Sequence, residues 1–95
     1  MLHILMHSPY KININFMCNM FLFRHSFIAL QDGVLIALNK NIFLPKILSC
    51  SMNLYLLKED VIARGVEEYV CSNFSIINYI DFVRLTEKYN KSMNW

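Results

Sequence analysis

Two hydrophobic rhythms run along this chain: short unbroken apolar stretches, and one stretch with a helical repeat. The most explicit region is Asn53 to Gly65. Leu54, Tyr55, Leu56 and Leu57 form an apolar run of strand length, as expected of a strand covered on both faces. Glu59 and Asp60 then place negative charge on the first turn of a helix. Arg64 places positive charge on its last turn, and Gly65 suits the left-handed position that closes it. A strand that enters a helix with almost no loop is half of a parallel crossover unit. The expected fold class is therefore α/β, a small and mostly parallel sheet flanked by helices.

The rest of the chain fits around that unit. Met1–Met6 reads as a first strand, stopped by Ser8-Pro9 because proline cannot donate to a ladder. A helix is expected over Ile12–Phe23, apolar nearly all round and therefore buried on more than one side. One side is expected to face the sheet and another a neighbouring subunit. Ser26–Gln31 is a second strand, and Asp32-Gly33 breaks it with turn chemistry. Val34–Leu38 is a short helical or irregular return, Asn39–Asn41 a polar loop, and Phe43–Cys50 a small helical patch with Pro45 in its first turn. Val66–Phe74 shows no single pattern, and Ser75–Asn78 is a brief strand. Phe82, Leu85, Thr86 and Tyr89 then recur at helical spacing behind Asp81, with Arg84, Glu87, Lys88 and Lys91 facing water. The closing Ser92–Trp95 carries an indole, which suggests a docked tail such as a last strand.

Composition changes this picture in one respect. Hydrophobic residues make up 56% of the 95 and charged residues 17%, against about 25% charged in an average domain. One domain, residues 1–95, is expected, and a core of that size is marginal alone. Too few charges remain to clothe a monomer. A membrane span is excluded, because it needs about 20 apolar residues and the charge-free runs Ile12–Phe23 and Tyr69–Ile80 are shorter and carry Asn. With no Lys or Arg before Lys11 and no small-residue cleavage site, a secretory signal is not expected. The expectation is a cytoplasmic protein that buries part of its surface against partner chains. The net charge of +2 is scattered, so direct nucleic-acid binding is not expected.

Candidate chemistry is sparse. With only Gly33 and Gly65 the chain cannot build a glycine-rich phosphate loop. His7, Ser8 and Asp32 could meet at the carboxyl ends of the first two strands, where open α/β sheets bind ligands. A hydrolytic triad also needs a strained elbow and an oxyanion hole, so loop capping is the better account. His3 reads as a satisfied sheet histidine, and His25 as a cation at a helix end. Glu59 and Asp60 are adjacent, not facing, and serve the helix start. Cys18, Cys50 and Cys71 are too far apart in sequence for a zinc site or a disulfide framework. Cys18, set among Met and Phe, is expected to be buried and inert. No catalytic residue, cofactor or metal is assigned.

Taken together, several segments carry a resemblance. They are the opening M-L-H, S-P-Y at Ser8–Tyr10, L-Q-D-G-V at Leu30–Val34, L-K-E-D-V-I-A-R-G at Leu57–Gly65, D-F-V-R-L-T at Asp81–Thr86, and the final Trp95. Over its whole length the chain resembles the DsrH branch of the DsrE/DsrF/DsrH-like sulfur-relay family. The resemblance implies a small α/β subunit that assembles with two related subunits, C and D, into a heterohexamer, a dimer of heterotrimers. Such a complex takes persulfide sulfur from an upstream carrier and passes it to a downstream carrier, for 2-thiolation of the wobble uridine of tRNA. The working cysteine then belongs to the D subunit, and this chain is structural. Some sulfur-oxidising relatives carry a cysteine in the first helix, where Cys18 lies, while closer relatives in tRNA thiolation lack it. The alternatives are a sulfur carrier acting through a Cys18 persulfide, and an unrelated α/β interaction module. The first helix, more apolar and Asn-rich, departs most from the relatives.

Overall fold

The computed structural model describes residues 1–21, 25–50 and 53–95. Its centre is a five-stranded sheet in the order β4-β3-β2-β1-β5, with every pairing parallel. The strands are β1 Leu2–Leu5, β2 Ser26–Ala29, β3 Asn53–Leu57, β4 Ser75–Ile77 and β5 Ser92–Asn94. The helices are α1 Ile14–Asn19, α2 Leu44–Leu48, α3 Lys58–Ala63 and α4 Tyr79–Lys88, with 3-10 segments at Pro9–Lys11 and Gln31–Ala37. The closing residues do form a last strand. Leu2 aligns with Ser92, and Trp95 N–H donates to Ile4 O at 2.7 Å.

Alternation along the strands splits the core in two. His3, Leu5, Phe27, Ala29, Leu54 and Leu56 point to one face. There they meet Ile14, Met17 and Cys18 of α1, Leu44 and Ile47 of α2, Val61 of α3, and Val34, Ile36 and Ala37 of the 3-10 segment. Leu2, Ile4, Ile28 and Leu57 point to the other face, joined by Leu30 just beyond β2 and packed against Leu85, Phe82 and Tyr89 at α4. Helix α4 connects β4 at one edge of the sheet to β5 at the other, so it straps the whole width. Tyr89 OH and Ser26 Oγ hydrogen-bond to each other, fixing its end to β2.

The first helix is shorter than the apolar pattern predicts. Asn13 Oδ1 accepts from Phe16 N–H at 3.0 Å and starts the helix there, while the turn at Pro9 holds the chain before it. The helix then ends at Asn19, in a sequence rich in poor helix formers. Leu22 and Phe23 of the expected span lie outside the described residues. One side of α1 is buried, as expected, but Phe16 (57%) and Met20 (40%) are exposed. Asp32-Gly33 makes no simple turn; both residues sit in the 3-10 segment, behind Gln31 at φ 52°. Asn78 caps α4, its Oδ1 accepting from Asp81 N–H at 2.9 Å, and Asp81 is an acid of the first turn. Lys91 lies beyond that helix.

Candidate functional site

The carboxyl ends of β1, β2 and β3 are the customary ligand end of such a sheet. They hold two of the segments that carry the family resemblance, Leu30–Val34 and Leu57–Gly65. Gln31 N–H donates to Asp60 Oδ2 at 2.6 Å. Arg64 spans both segments, with Nη2 2.9 Å from Asp32 Oδ1 and Nη1 3.8 Å from Asp60 Oδ1. The Asp60 carboxylate thus holds Gln31 in a left-handed conformation that non-glycine residues seldom adopt. At Gly33 the backbone runs so close to β1 that a Cβ would sit 2.2 Å from Leu5 O. Only glycine fits there. Arg64 is therefore not simply a cation on a last helical turn. It is the cap residue of α3, followed by Gly65 at φ 63°, and its partner comes from the 3-10 segment, 32 residues away.

This cluster clamps the two segments together. Ser8 Oγ accepts from Tyr10 N–H at 3.3 Å and caps a 3-10 turn, and Asp32 is committed to Arg64. Among the described residues no hydrogen bond joins His7, Ser8 and Asp32. Glu59 Oε2 accepts from Tyr79 N–H at 3.3 Å, tying α3 to α4. Among the described residues no three His, Cys, Asp or Glu side chains gather as metal ligands.

The histidines form a second polar cluster, on the α1 face of the sheet. Trp95 Nε1–H donates to His3 Nδ1 at 3.2 Å, which leaves the proton on His3 Nε2 to be donated to His25 Nδ1 at 2.7 Å. Phe21 lies over the His3 ring at 4.5 Å between centroids. Burial, then the nearby His25, then the terminal amine push the His3 pKa down to about 4. His3 is thus the satisfied sheet histidine expected. His25 is not a cation at a helix end: α1 stops at Asn19, and burial, with the terminal amine, lowers its pKa.

The Cys18 thiol shows the same bias against charge. Cys18 is buried in α1, and burial, followed by the Cys50 thiol beside it, pushes its pKa up to about 12, with Lys46 opposing. Cys71 is buried, with its thiol donating to Asn73 Oδ1 at 3.2 Å.

What the surface does offer is apolar area. Tyr10, Phe16 and Met20 are exposed on the α1 side. A second group, which the sequence reading missed, lies on the outer side of α4: Tyr79, Ile80 (63% exposed) and Val83; Ile76, aligned with Leu56, is exposed on the α1 face of the edge strand β4. An apolar cleft of about 420 Å³, lined by Leu38, Asn39, Lys40, Val66 and Tyr69, opens beside the Leu38–Val70 bridge. Among the described residues no helix is long and apolar enough to cross a membrane.

Comparison with known proteins adds a lineage to this geometry. Residues 7–92 match the family model described as DsrH like protein. The chain is 55% identical to protein TusB of Buchnera aphidicola subsp. Schizaphis graminum, over 100% of both chains. It is 35% identical to protein TusB of Escherichia coli (strain K12 / DH10B), again over 100% of both. Among solved structures, the ychN protein from E. coli superposes with a TM-score of 0.78 at 12% identity, covering 99% of this chain and 97% of that one. At that identity the superposition speaks to the fold alone.

Proposed function

The chain belongs to the DsrH-like family, and from that premise we propose that it is a non-catalytic structural subunit of a cytoplasmic tRNA sulfur relay. Family membership sets aside the reading as an unrelated interaction module. In the proposal the chain acts as one 95-residue domain. It assembles with related C and D subunits in a heterohexamer that passes persulfide sulfur from an upstream to a downstream carrier, for 2-thiolation of the wobble uridine of tRNA.

The observation that carries this reading is a contrast in the chain itself. Large apolar side chains are exposed on two sides, at Phe16 and Met20 of α1 and at Tyr79 and Ile80 of α4. Its Cys18 thiol, meanwhile, is buried and held protonated. A surface of this kind suits an obligate interface, which is commonly more hydrophobic than the rest of a protein. A buried, protonated thiol does not suit a sulfur carrier, which needs an accessible thiolate.

Co-expression with the candidate sister subunits, followed by mass measurement of the intact complex, tests the reading. A stable complex containing this chain is expected, and insoluble or aggregated protein when it is made alone. A soluble, monodisperse monomer that captures neither subunit would overturn it. Replacing Cys18 by Ser should leave tRNA thiolation unchanged; its loss would revive the carrier reading.

A further inference from the structure

Residues 38–40 and 66–70 lie side by side in the fold. The Leu38–Val70 bridge is antiparallel, Asn39 N–H donates to Tyr69 O at 2.9 Å, and Cys71 N–H donates to Ala37 O at 2.7 Å. Tyr69 N–H donates to Val66 O at 2.9 Å, closing a turn behind the tyrosine. The backbone of both segments is thus fixed, while Tyr69 stays 60% exposed. Two clefts share Tyr69. The apolar one, of about 420 Å³, is lined by Leu38 and Val66 and carries Lys40. The other, of about 260 Å³, is lined by Gly65, Glu67 and Glu68. One exposed cation and two exposed anions therefore flank one apolar centre. Among the described residues none of the three is committed to an ion pair.

We propose that this surface binds a second copy of the chain, in a pair whose two-fold axis runs beside Tyr69. A patch with a cation on one side of an apolar centre and anions on the other is complementary to itself after a half turn, as an isologous contact requires. Lys40 of each copy then faces Glu67 and Glu68 of the other, and the two Tyr69 rings meet over the apolar cleft. A partner of a single charge would oppose one side of the patch, and an uncharged one would answer neither. Tyrosine is a favoured anchor at the centre of an interface, and charges around it fix register and exclude wrong partners. A patch of this extent belongs with weak interfaces, below about 1,200 Å², so pairing should be reversible and concentration-dependent. It shares no residue with the apolar groups assigned to sister subunits, so the inference does not rest on that reading.

The test uses the full-length chain in two differently tagged copies, co-expressed with the candidate sister subunits. Capture of one tag should bring down the other. Lys40→Glu in both copies should lower that recovery about tenfold, because like charges replace opposite ones twice in each pair. Glu67→Lys with Glu68→Lys in both copies should do the same. A Lys40→Glu copy combined with a copy carrying Glu67→Lys and Glu68→Lys should restore the wild-type level, since every facing pair is again of opposite sign. The wild-type chain supplies a measurement that needs no variant. Carbodiimide treatment of mixed heavy- and light-isotope chains should link Lys40 to Glu67 or Glu68 in peptides that carry both labels. Sister-subunit recovery is scored in the same lysates, so failure of the relay assembly is seen apart from failure of pairing. Second-copy recovery unchanged by the reversals, no restoration in the mixed pair, or links confined to peptides of a single label would each overturn the proposal.

Discussion

The two faces of the sheet are built to different standards. On the α1 face, three helices and a 3-10 segment cover the strands, and Phe27, Leu56, Met17, Ile36 and Ile47 are fully buried. On the other face, α4 is the covering helix among the described residues, and several contacts sit at its margin: Ile4 at 8%, Leu57 at 7% and Leu85 at 9% exposed. The same helix turns Tyr79, Ile80 and Val83 outward. A small domain cannot cover both sides of a parallel sheet equally, and here, among the described residues, one side is covered by three helices and the other by one, while both leave some large apolar side chains outside. Stability should therefore be concentrated on the α1 face, and partner binding should load onto the α4 face more than its stability would suggest.

Four measurements would sharpen or break that contrast, in falling order of size. Phe27→Ala should cost about 3–5 kcal/mol in denaturant unfolding, since the cavity opens in the fully covered core. Acid should come next. The unfolded His3 takes up a proton below its ordinary pKa of 6.5, whereas the folded one resists until about 4. The folding stability contributed by neutral His3 is complete above pH 6.5 and falls by about 3 kcal/mol as pH drops to 4. Replacing His3 with Gln should flatten that part of the stability–pH curve; an unchanged slope would assign the acid sensitivity elsewhere. Leu85→Ala, at the margin of the α4 face, should cost about 2 kcal/mol, the low end for such a truncation. A cost equal to that of Phe27→Ala would erase the difference between the faces. Ile80→Ser should alter stability by no more than about 0.5 kcal/mol, yet weaken recovery of the proposed sister subunits from co-expression. Undiminished recovery would remove the α4 exterior from the interface.

Local signals in the sequence carried the architecture well. The apolar run Leu54–Leu57 is legible because a central parallel strand is buried on both faces, which leaves no polar positions to blur it. The repeat of Phe82, Leu85 and Tyr89 is legible because α4 has one buried side. Composition also foretold bare apolar surface, but placed it along Ile12–Phe23 alone. Ile76 and Ile80 escaped notice because a single outward isoleucine looks like core in any local window. Arg64 and His25 were misread for a common reason. Each was assigned the role that helix ends usually give a cation, whereas tertiary neighbours decide: Asp32 for Arg64, and His3 for His25. Gln31 at positive φ left no trace at all, since its conformation depends on Asp60 arriving from another segment.

The strand order has a consequence for how the molecule is made. Of the five strands β1 is made first, but its outer neighbour, β5, is made after the other four. Until then one edge of β1 displays bare ladder groups, an open invitation to stray strands on nascent chains. Closing it requires the two most distant strands of the chain to meet, the kind of long-range pairing that folds slowly. Translation speed and chaperone cover during that interval should govern the yield of native protein more than the stability of the finished sheet.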